Sequence, residues 1–406
     1  MNYYWIVLLL ALIGGLYSLV LNIVTYRSAN NPTPASVADV YDAETYLNWK
    51  KYSAEHCKLD IVSSIVSCVI TLALLATKVY AAFASLFPDG VFWQLFSVVL
   101  LECLVSTVVG CVESYISTMR IEEKYGFNRS NMKTFMGDKI RNFLFNFGLS
   151  LGLVYVFYLL HRAFGGWMIL LFALVIFLFA LVISFLYPVF SRIGNKFVPL
   201  EEGELKDRLN GLLIKHGYQV KAIEVMDASR RTTKLNAYFT GFGKMKTIVL
   251  YDNLINAMSV DEICAVFAHE LGHGLHKDGM KAQILNFGNL LLLAIVAWGS
   301  VELLPLHNAF GFAEVNYGFA YILTSIGLGM VQPLSGMVMN VHSRAYEYRA
   351  DRQAVEEGYG EAMVTALKKL AKDNFAHLAP SRLNVILEYS HPPLGDRIEQ
   401  IQKMMR

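Results

Sequence analysis

Two histidines spaced four residues apart carry the strongest chemical signal in the sequence. Residues 269–273 read His-Glu-Leu-Gly-His. Residues at i and i+4 share one face of a helix, so His269 and His273 can bind one metal ion together. Glu270 is displaced by one position and flanks that ion, where a general base for zinc-activated water belongs. The segment predicts a Zn²⁺ site for hydrolysis, in which Glu270 takes a proton from water and returns it to the leaving amine.

The residues before this segment predict where its helix begins. Ser259-Val260-Asp261-Glu262 matches a capping box, with Ser259 as the N-cap and Glu262 reaching back to it. A His-Glu-x-x-His string arises by chance in roughly one chain in a hundred of this length and histidine content. A predicted helix around the string makes chance a weaker explanation.

A zinc site of this type needs a third protein ligand and one open position. Two carboxylates four residues apart, Glu347 and Asp351, follow the last apolar segment. Glu347 is expected to bind zinc, and Asp351 to hold the other nitrogen of a ligand histidine in its proper tautomer. Without the histidine motif, such a pair is more often a solvated helix face. The motif favours the ligand interpretation.

The composition indicates what kind of body positions these residues. The chain has 406 residues, of which 55% are hydrophobic and only 17% charged, as in a membrane protein. The net charge of +2, with no basic stripe interleaved with aromatics, argues against nucleic acid as a partner. The five cysteines form no CxxC pair, so neither a disulfide framework nor a thiolate zinc site is predicted.

Apolar segments of near-membrane length divide the chain into spans and polar parts. About 20 apolar residues cross the hydrocarbon, and seven segments approach that length. The predicted spans are Tyr4–Val24, Ile61–Thr77, Val91–Val112, Phe143–Leu160, Phe164–Phe190, Ile284–Leu304 and Tyr317–Met339. The resulting domain prediction is 1–190 for spans one to five, 191–283 for a protease domain, 284–340 for the last two spans, and 341–406 for a C-terminal part with the third ligand.

The distribution of basic residues predicts the orientation of these spans. With seven spans, all of the 35 Lys and Arg except Lys78 and Arg162 fall on one side. Cytoplasmic loops retain such residues, so the polar domain and C-terminus are predicted to be cytoplasmic and the N-terminus to lie opposite. Glu102, Glu113 and Glu302 lie in or near spans and either face a water-filled cavity or reach the interface.

The polar stretch between spans five and six predicts a small mixed α and β domain. Glu204–His216 has an apolar face at helical spacing, and Gly217 is placed to end that helix. Short β-prone runs occupy Ile223–Met226, Leu235–Thr240 and Thr247–Tyr251.

Several longer motifs together resemble the integral-membrane type I CAAX prenyl proteases. They are the His-Glu-Leu-Gly-His segment, the Ser-Arg-x-x-Glu-x-x-Ala-Asp run at 343–351, Asn-Ala-Tyr-Phe-Thr-Gly-Phe-Gly at 236–243 and Glu-Glu-Lys-Tyr-Gly-Phe-Asn at 122–128. The resemblance covers most of the chain. It implies a mainly α fold in which a seven-transmembrane-helix bundle encloses a chamber, with a small α+β gluzincin-type zinc protease domain on the cytoplasmic side.

The resemblance also implies roles for individual residues. Glu347 matches the third zinc ligand and Asp351 its supporting carboxylate. Asn236 and Ala237 match an edge strand that pairs with the substrate backbone. His391 matches an element near the active site, where a donor stabilises the tetrahedral oxyanion and acts as a catalytic residue. Arg397, which follows in the same element, is assigned to substrate binding. Without the resemblance, His391 reads as a loop histidine before a proline turn.

The predicted function is that of a membrane zinc endopeptidase that hydrolyses peptide bonds near the C-terminus of prenylated CAAX proteins. Its expected partners are a peptide or protein substrate and the lipid membrane, either of the endoplasmic reticulum in a eukaryote or the inner membrane in a bacterium. One alternative keeps the chemistry and changes the client to non-prenylated proteins in membrane quality control. Others are a seven-span receptor or transporter without peptidase activity, and an inactive scaffold.

Overall fold

The computed structural model describes residues 2–128, 130–192, 195–230, 237–240 and 247–406. Within them the chain is mostly helical, with one small sheet. The helices are α1 (Tyr3–Ser28), α2 (Ala43–Ala76), α3 (Val79–Ala84), α4 (Val91–Ile116), α5 (Met132–Phe164), α6 (Met168–Phe190), α7 (Glu204–Lys215), α8 (Asp252–Ala257), α9 (Val260–Leu275), α10 (Asp278–Glu302), α11 (Leu304–Ala309), α12 (Tyr317–Glu356), α13 (Gly360–Asp373), α14 (Arg382–Leu387) and α15 (Leu394–Met405). The strands are β1 (Phe197–Pro199), β2 (Ala222–Met226), β3 (Ala237–Thr240) and β4 (Thr247–Tyr251).

Six stretches of the described chain are long and apolar enough to cross a membrane. One of them, Met132–Leu186, is 55 residues long and contains both α5 and α6. At 1.5 Å per residue it would extend about 80 Å, far beyond the roughly 30 Å of hydrocarbon. The 3₁₀ turn Gly165–Trp167 divides it, with Gly165 at a positive φ of 53°. Each predicted span overlaps one of the helices, but the predicted count of seven is not confirmed by these six stretches.

The apolar side chains of the long helices point outward, as a lipid environment requires. In no candidate span is more than 28% of the most apolar window buried. Leu9, Val62, Val108 and Phe145 are each more than half exposed. In water such a surface would be a large aggregation-prone patch. The helices therefore belong to a multi-span membrane protein.

The chain forms two compact units, and the first holds most of the long helices. It comprises residues 1–26, 52–177 and 285–336. Its fully buried side chains include Leu75, Leu95, Val98 and Phe319. The packed interior therefore lies between helices, beneath the exposed apolar surface.

The three acidic residues noted in or near the spans have polar surroundings in this unit. Tyr80 donates a hydrogen bond of 2.6 Å to Glu102, and Glu302 lies 3.1 Å from His161 Nε2. Glu113 lines a cavity of about 390 Å³ together with Asp60 and a series of serine side chains. A polar cavity is thus present at Glu113, whereas the larger enclosing chamber remains a prediction.

The second unit, residues 27–51, 178–284 and 337–406, contains the sheet. The strand order is β1-β2-β4-β3, with β2 parallel to β4 and both outer pairs antiparallel. The strands predicted at 223–226 and 247–251 are confirmed, and the third is observed at 237–240. The short β1 was not predicted. The helix predicted at 204–216 is confirmed as α7, followed by Gly217 at φ 58°.

The core of the second unit is built around α9. Its residues from Glu262 to His269 are all buried. They pack with Leu209 and Leu212 of α7 and with Ile248 and Leu250 of β4. A helical segment that is buried on every side must be surrounded by other elements. The sheet and the neighbouring helices therefore hold α9 in one position.

Candidate metal centre

The N-terminus of α9 is capped as the sequence predicts. The Glu262 N–H donates to Ser259 Oγ at 3.3 Å, and the Ser259 N–H donates to Glu262 Oε2 at 2.7 Å. Lys369 Nζ lies 2.6 Å from the same carboxylate oxygen. Burial raises the pKa of Glu262, but the bonds from Lys369 and Ser259 outweigh it and lower the pKa below its usual value. This reciprocal capping box fixes the start of the helix that carries both histidines.

Three side chains of the second unit converge on one point. His269 Nε2 lies 3.6 Å from Glu347 Oε2, and His273 Nε2 lies 3.3 Å from Glu347 Oε1. One ligand atom from each of the three residues lies within 4.8 Å of the other two. His269 and Glu347 are buried, and His273 is half-buried. Two imidazole nitrogens and a carboxylate oxygen at this spacing suit a tetrahedral cation with one open position.

The opposite nitrogen of each histidine is bonded to a separate carboxylate. His269 Nδ1 lies 2.9 Å from Asp351 Oδ1, and His273 Nδ1 lies 3.1 Å from Asp278 Oδ2. When Nδ1–H of each histidine donates to its carboxylate, Nε2 keeps its lone pair, on the side of the ring that faces Glu347. Both rings are therefore oriented for binding through Nε2, and the residues present fit a metal ion. The sequence reasoning anticipated Asp351 but missed Asp278.

Arg397 of α15 reaches into the centre and contacts two carboxylates. Its Nε and Nη2 donate to Asp351 at 2.9 and 2.6 Å, and its Nη1 lies 3.2 Å from Glu347 Oε2. The side chain is buried, with 8% relative exposure. Burial lowers the pKa of a guanidinium, yet the bonds and charges of Asp351 and Glu347 raise that of Arg397 above its ordinary value. Its Nη2 also lies 3.5 Å from His269 Nδ1, and a role of Arg397 in substrate binding remains a prediction.

Glu270 is half-buried and lies beside the two histidines in α9. Burial lowers the pKa of His273, but hydrogen bonds with Glu347 and Asp278 and the charges of Glu347 and Glu270 outweigh it and raise the pKa to about 9. A metal ion that binds through Nε2 of His273 therefore competes with a proton for the same lone pair.

His391 stands at the exposed side of the centre. Its Nε2 lies 3.4 Å from Glu347 Oε1, and its Nδ1 lies 3.0 Å from Ser390 Oγ. The side chain is 64% exposed, in contrast to the buried Glu347. A solvent-facing donor beside the ligand carboxylate can reach a group that enters from outside.

The predicted substrate-pairing strand is only partly described. Asn236 lies outside the described residues, as do 241–246, whereas Ala237 begins β3 and is paired with Leu250 of β4. β3 is the last strand in the sheet order. Among the strands that the structure describes, Ala237 therefore lies on an edge strand, where a peptide can add to a sheet.

Comparison with known proteins identifies the class to which this combination of helices and site belongs. The sequence model of "Peptidase family M48" matches residues 199–405, which include all the converging side chains. A second model, "CAAX prenyl protease N-terminal, five membrane helices", matches residues 6–192. The protein is thus a membrane metalloendopeptidase, and its centre belongs to the peptidase part.

Individual relatives identify the family within this class of membrane metalloendopeptidases. The CAAX prenyl protease 1 homolog of Oryza sativa subsp. japonica is 29% identical, with 94% of this chain and 93% of the relative covered. CAAX prenyl protease 1 of Saccharomyces cerevisiae is also 29% identical, over 92% and 90%. The crystal structure of S. mikatae Ste24p is similar with a TM-score of 0.89, 26% identity and 99% of each chain covered. The chain belongs to the integral-membrane CAAX prenyl protease family.

Proposed function

We propose that this endopeptidase uses zinc, held by Nε2 of His269, Nε2 of His273 and the carboxylate of Glu347. The observation that carries the proposal is the convergence of these three side chains within 4.8 Å, with a carboxylate behind each histidine. A set of two nitrogens and one oxygen is the set of the His₂Glu zinc peptidases. When bound, the metal would supply Lewis-acid activation of water and of the scissile carbonyl.

The protein's own residues carry the proton transfers. Glu270 accepts a proton from the attacking water and delivers it to the nitrogen of the leaving amine. His391 donates a hydrogen bond to the oxyanion of the tetrahedral intermediate, which its exposed position beside Glu347 supports. Asp351 and Arg397 act as positioning residues: Asp351 orients His269, and Arg397 neutralises the buried charge of Asp351 and Glu347.

The substrate is proposed to be the C-terminal region of a prenylated CAAX protein. The names of the relatives, which are CAAX prenyl proteases, support this substrate class. The main chain of the substrate adds to the edge strand that begins at Ala237. The family resemblance extends this substrate-binding role to Asn236, which lies outside the described residues. Since a prenyl chain partitions into lipid, a peptidase within a membrane body meets such a substrate where it is anchored.

The polar domain at residues 191–283, which carries α9, and the C-terminus are proposed to face the cytoplasm. The N-terminus is proposed to lie on the opposite side of the membrane. The asymmetry of Lys and Arg supports this orientation. The host membrane would be that of the endoplasmic reticulum in a eukaryote or the inner membrane in a bacterium. Cysteine labelling of single-site variants in sealed vesicles tests the orientation, and labelling of the α15 surface from the non-cytoplasmic side would contradict it.

The experiment that tests the function combines metal analysis with peptide cleavage in detergent. Wild type is expected to hold one zinc per chain and to cleave a farnesylated CAAX peptide. Glu270→Ala should keep the metal and lose at least about 100-fold in rate, since it removes the general base. Glu361→Ala, on the exposed surface of α13, is the matched control and should remain active.

Other substitutions separate the remaining roles. Glu347→Ala should lose zinc, and wild-type zinc affinity in this variant would refute the third ligand. His391→Ala should keep zinc and lower kcat more than it raises KM. Cleavage of the same peptide without its farnesyl group at an equal rate would favour the quality-control alternative over a prenyl-dependent substrate.

A further inference from the structure

We propose that Asp278 and Arg349 form a positioning pair for His273, which holds its imidazole in the tautomer that binds metal through Nε2. This inference rests on the proposed ligand set and extends it to residues with no assigned role. Asp278 is the first residue of α10, and Arg349 lies on α12 between Glu347 and Asp351.

The two oxygens of Asp278 have different partners. Oδ2 lies 3.1 Å from His273 Nδ1, whereas Oδ1 is bonded to the Arg349 guanidinium and lies 3.9 Å from Lys281 Nζ. The side chain is almost fully buried, with 4% relative exposure. A carboxylate held by a cation on one oxygen has its second oxygen fixed in direction. The orientation of the His273 ring is therefore set by this pair.

A short turn between α9 and α10 brings Asp278 to His273. α9 ends at Leu275 and α10 begins at Asp278. Between them Lys277 adopts a left-handed backbone, with φ of 56°, and its carbonyl accepts from the amides of Met280 and Lys281. This turn places the first side chain of α10 beneath the last turn of α9. The five-residue spacing from His273 to Asp278 follows from that geometry.

An aspartate at the start of a helix also has a plain structural explanation. Acidic residues favour the positive end of the helix dipole and can cap backbone amides. In the part of the chain that the structure describes, however, both oxygens of Asp278 are bonded to side chains, and no backbone amide donates to either of them. The contacts thus favour positioning over capping.

The same arrangement occurs on the other side of the centre. His269 Nδ1 is bonded to Asp351, and Asp351 is bonded to Arg397. Each histidine therefore has a carboxylate behind it and an arginine behind the carboxylate. α12 supplies Asp351, which supports His269, and Arg349, which supports His273 through Asp278. This helix therefore supports both histidines besides carrying Glu347.

Asp278→Asn tests the positioning role, since Asn keeps the size of the side chain and one acceptor oxygen but replaces the other oxygen with an amide donor. The Asn amide can donate to His273 Nδ1, which places the ring proton on Nε2 and removes the lone pair from the metal site. The Zn²⁺ dissociation constant, measured by competition with a chelator, is expected to rise about 10- to 100-fold. Asp278→Glu keeps the charge and should recover part of the affinity. Arg349→Gln should weaken binding less than Asp278→Asn.

The control measurement is thermal unfolding of the metal-free proteins. A positioning role predicts that Asp278→Asn loses more free energy of zinc binding than free energy of metal-free unfolding, to which the lost ion pair with Arg349 also contributes. Zinc affinity within about twofold of wild type in both Asp278→Asn and Asp278→Glu would overturn this inference but not the proposed ligand set. An equal loss of zinc-binding free energy and of metal-free unfolding free energy in both variants would also overturn it. Absence of stoichiometric zinc from wild type would instead overturn the proposed ligand set.

Discussion

Gly272 of α9 lies directly against Ala350 of α12. A Cβ atom built on Gly272 would lie 3.1 Å from Ala350 Cα and 3.0 Å from Gln353 Cβ, closer than ordinary contact. The absence of a side chain thus allows the backbones of α9 and α12 to approach. His269 and His273 can reach Glu347 because of this close packing.

Gly272→Ala is therefore expected to push α9 away from α12. Overpacking of this kind costs about 1–3 kcal/mol, and the shift should also weaken metal binding. Both effects can be measured by thermal unfolding and chelator competition. Gly211→Ala is the matched control, because nothing lies within 4 Å of its Cβ position in α7, and alanine should stabilise that helix by up to about 1 kcal/mol. Equal behaviour of the two variants would show that the approach at Gly272 is unimportant.

Removal of the capping hydroxyl should loosen the start of α9. Ser259→Ala deletes the acceptor for the Glu262 amide and is expected to lower the free energy of unfolding by about 1 kcal/mol. Ser259→Asp keeps an acceptor at the same place and should remain close to wild type. Denaturant unfolding of the three proteins tests this order. The prediction fails if the alanine and aspartate variants are equally stable.

Arg397→Ala should lower the free energy of unfolding more than a substitution at an exposed position does. It leaves the carboxylates of Asp351 and Glu347 buried without their cation, which costs about 3–5 kcal/mol. Arg397→Lys keeps the charge but loses the forked donor geometry, so an intermediate loss is expected. Lys403→Ala, exposed on the same α15, provides the control. If Arg397→Ala and Lys403→Ala unfold alike, the guanidinium does not support these carboxylates.

His377 should make the stability of the peptidase unit sensitive to acid. Burial lowers the pKa of His377 to about 4, and its ring is bonded to Ser28 Oγ at 2.8 Å and to the Ala379 amide at 3.2 Å. The unfolded chain takes up this proton near pH 6.5, and the folded chain near 4. The unfolded state therefore binds more protons between these values, and stability falls as the pH decreases from about 6.5 to 4.

The test compares wild type with His377→Gln, which keeps a polar group but cannot be protonated. The metal-free wild type is expected to lose at least about 1 kcal/mol more than the variant between pH 7 and 4, since each pKa unit is worth about 1.4 kcal/mol. The unfolding temperature measured across this range gives the comparison. Parallel curves for the two proteins would contradict the prediction.

Local sequence rules were sufficient for α9 and its cap. Ser259 and Glu262 formed the predicted box because capping depends only on residues within one helical turn. The i, i+4 spacing likewise predicted that His269 and His273 share a face. Glu347 could be predicted only through the known need for a third ligand and the family resemblance, since nothing local to α12 indicates which helix it meets.

Contacts between distant elements could not be predicted in the same way. The family resemblance assigned Arg397 to substrate binding, which stays a prediction, but its position in α15 gave no indication of the buried carboxylates it meets. Asp278 had a local signal, an aspartate five residues after the second histidine, but its meaning depends on the left-handed turn at Lys277. Span counting was also uncertain, because α5 and α6 are separated only by the short turn at Gly165–Trp167.

The placement of Arg397 gives the metal centre a temporal order during biosynthesis. A ribosome makes the histidines of α9 first, Glu347 and Asp351 of α12 later, and the arginine of α15 last. Until α15 has emerged, the nascent chain carries the carboxylate pair without the guanidinium that lies between them in the folded protein. The carboxylates of Glu347 and Asp351 therefore gain this cation only when α15 packs against α12.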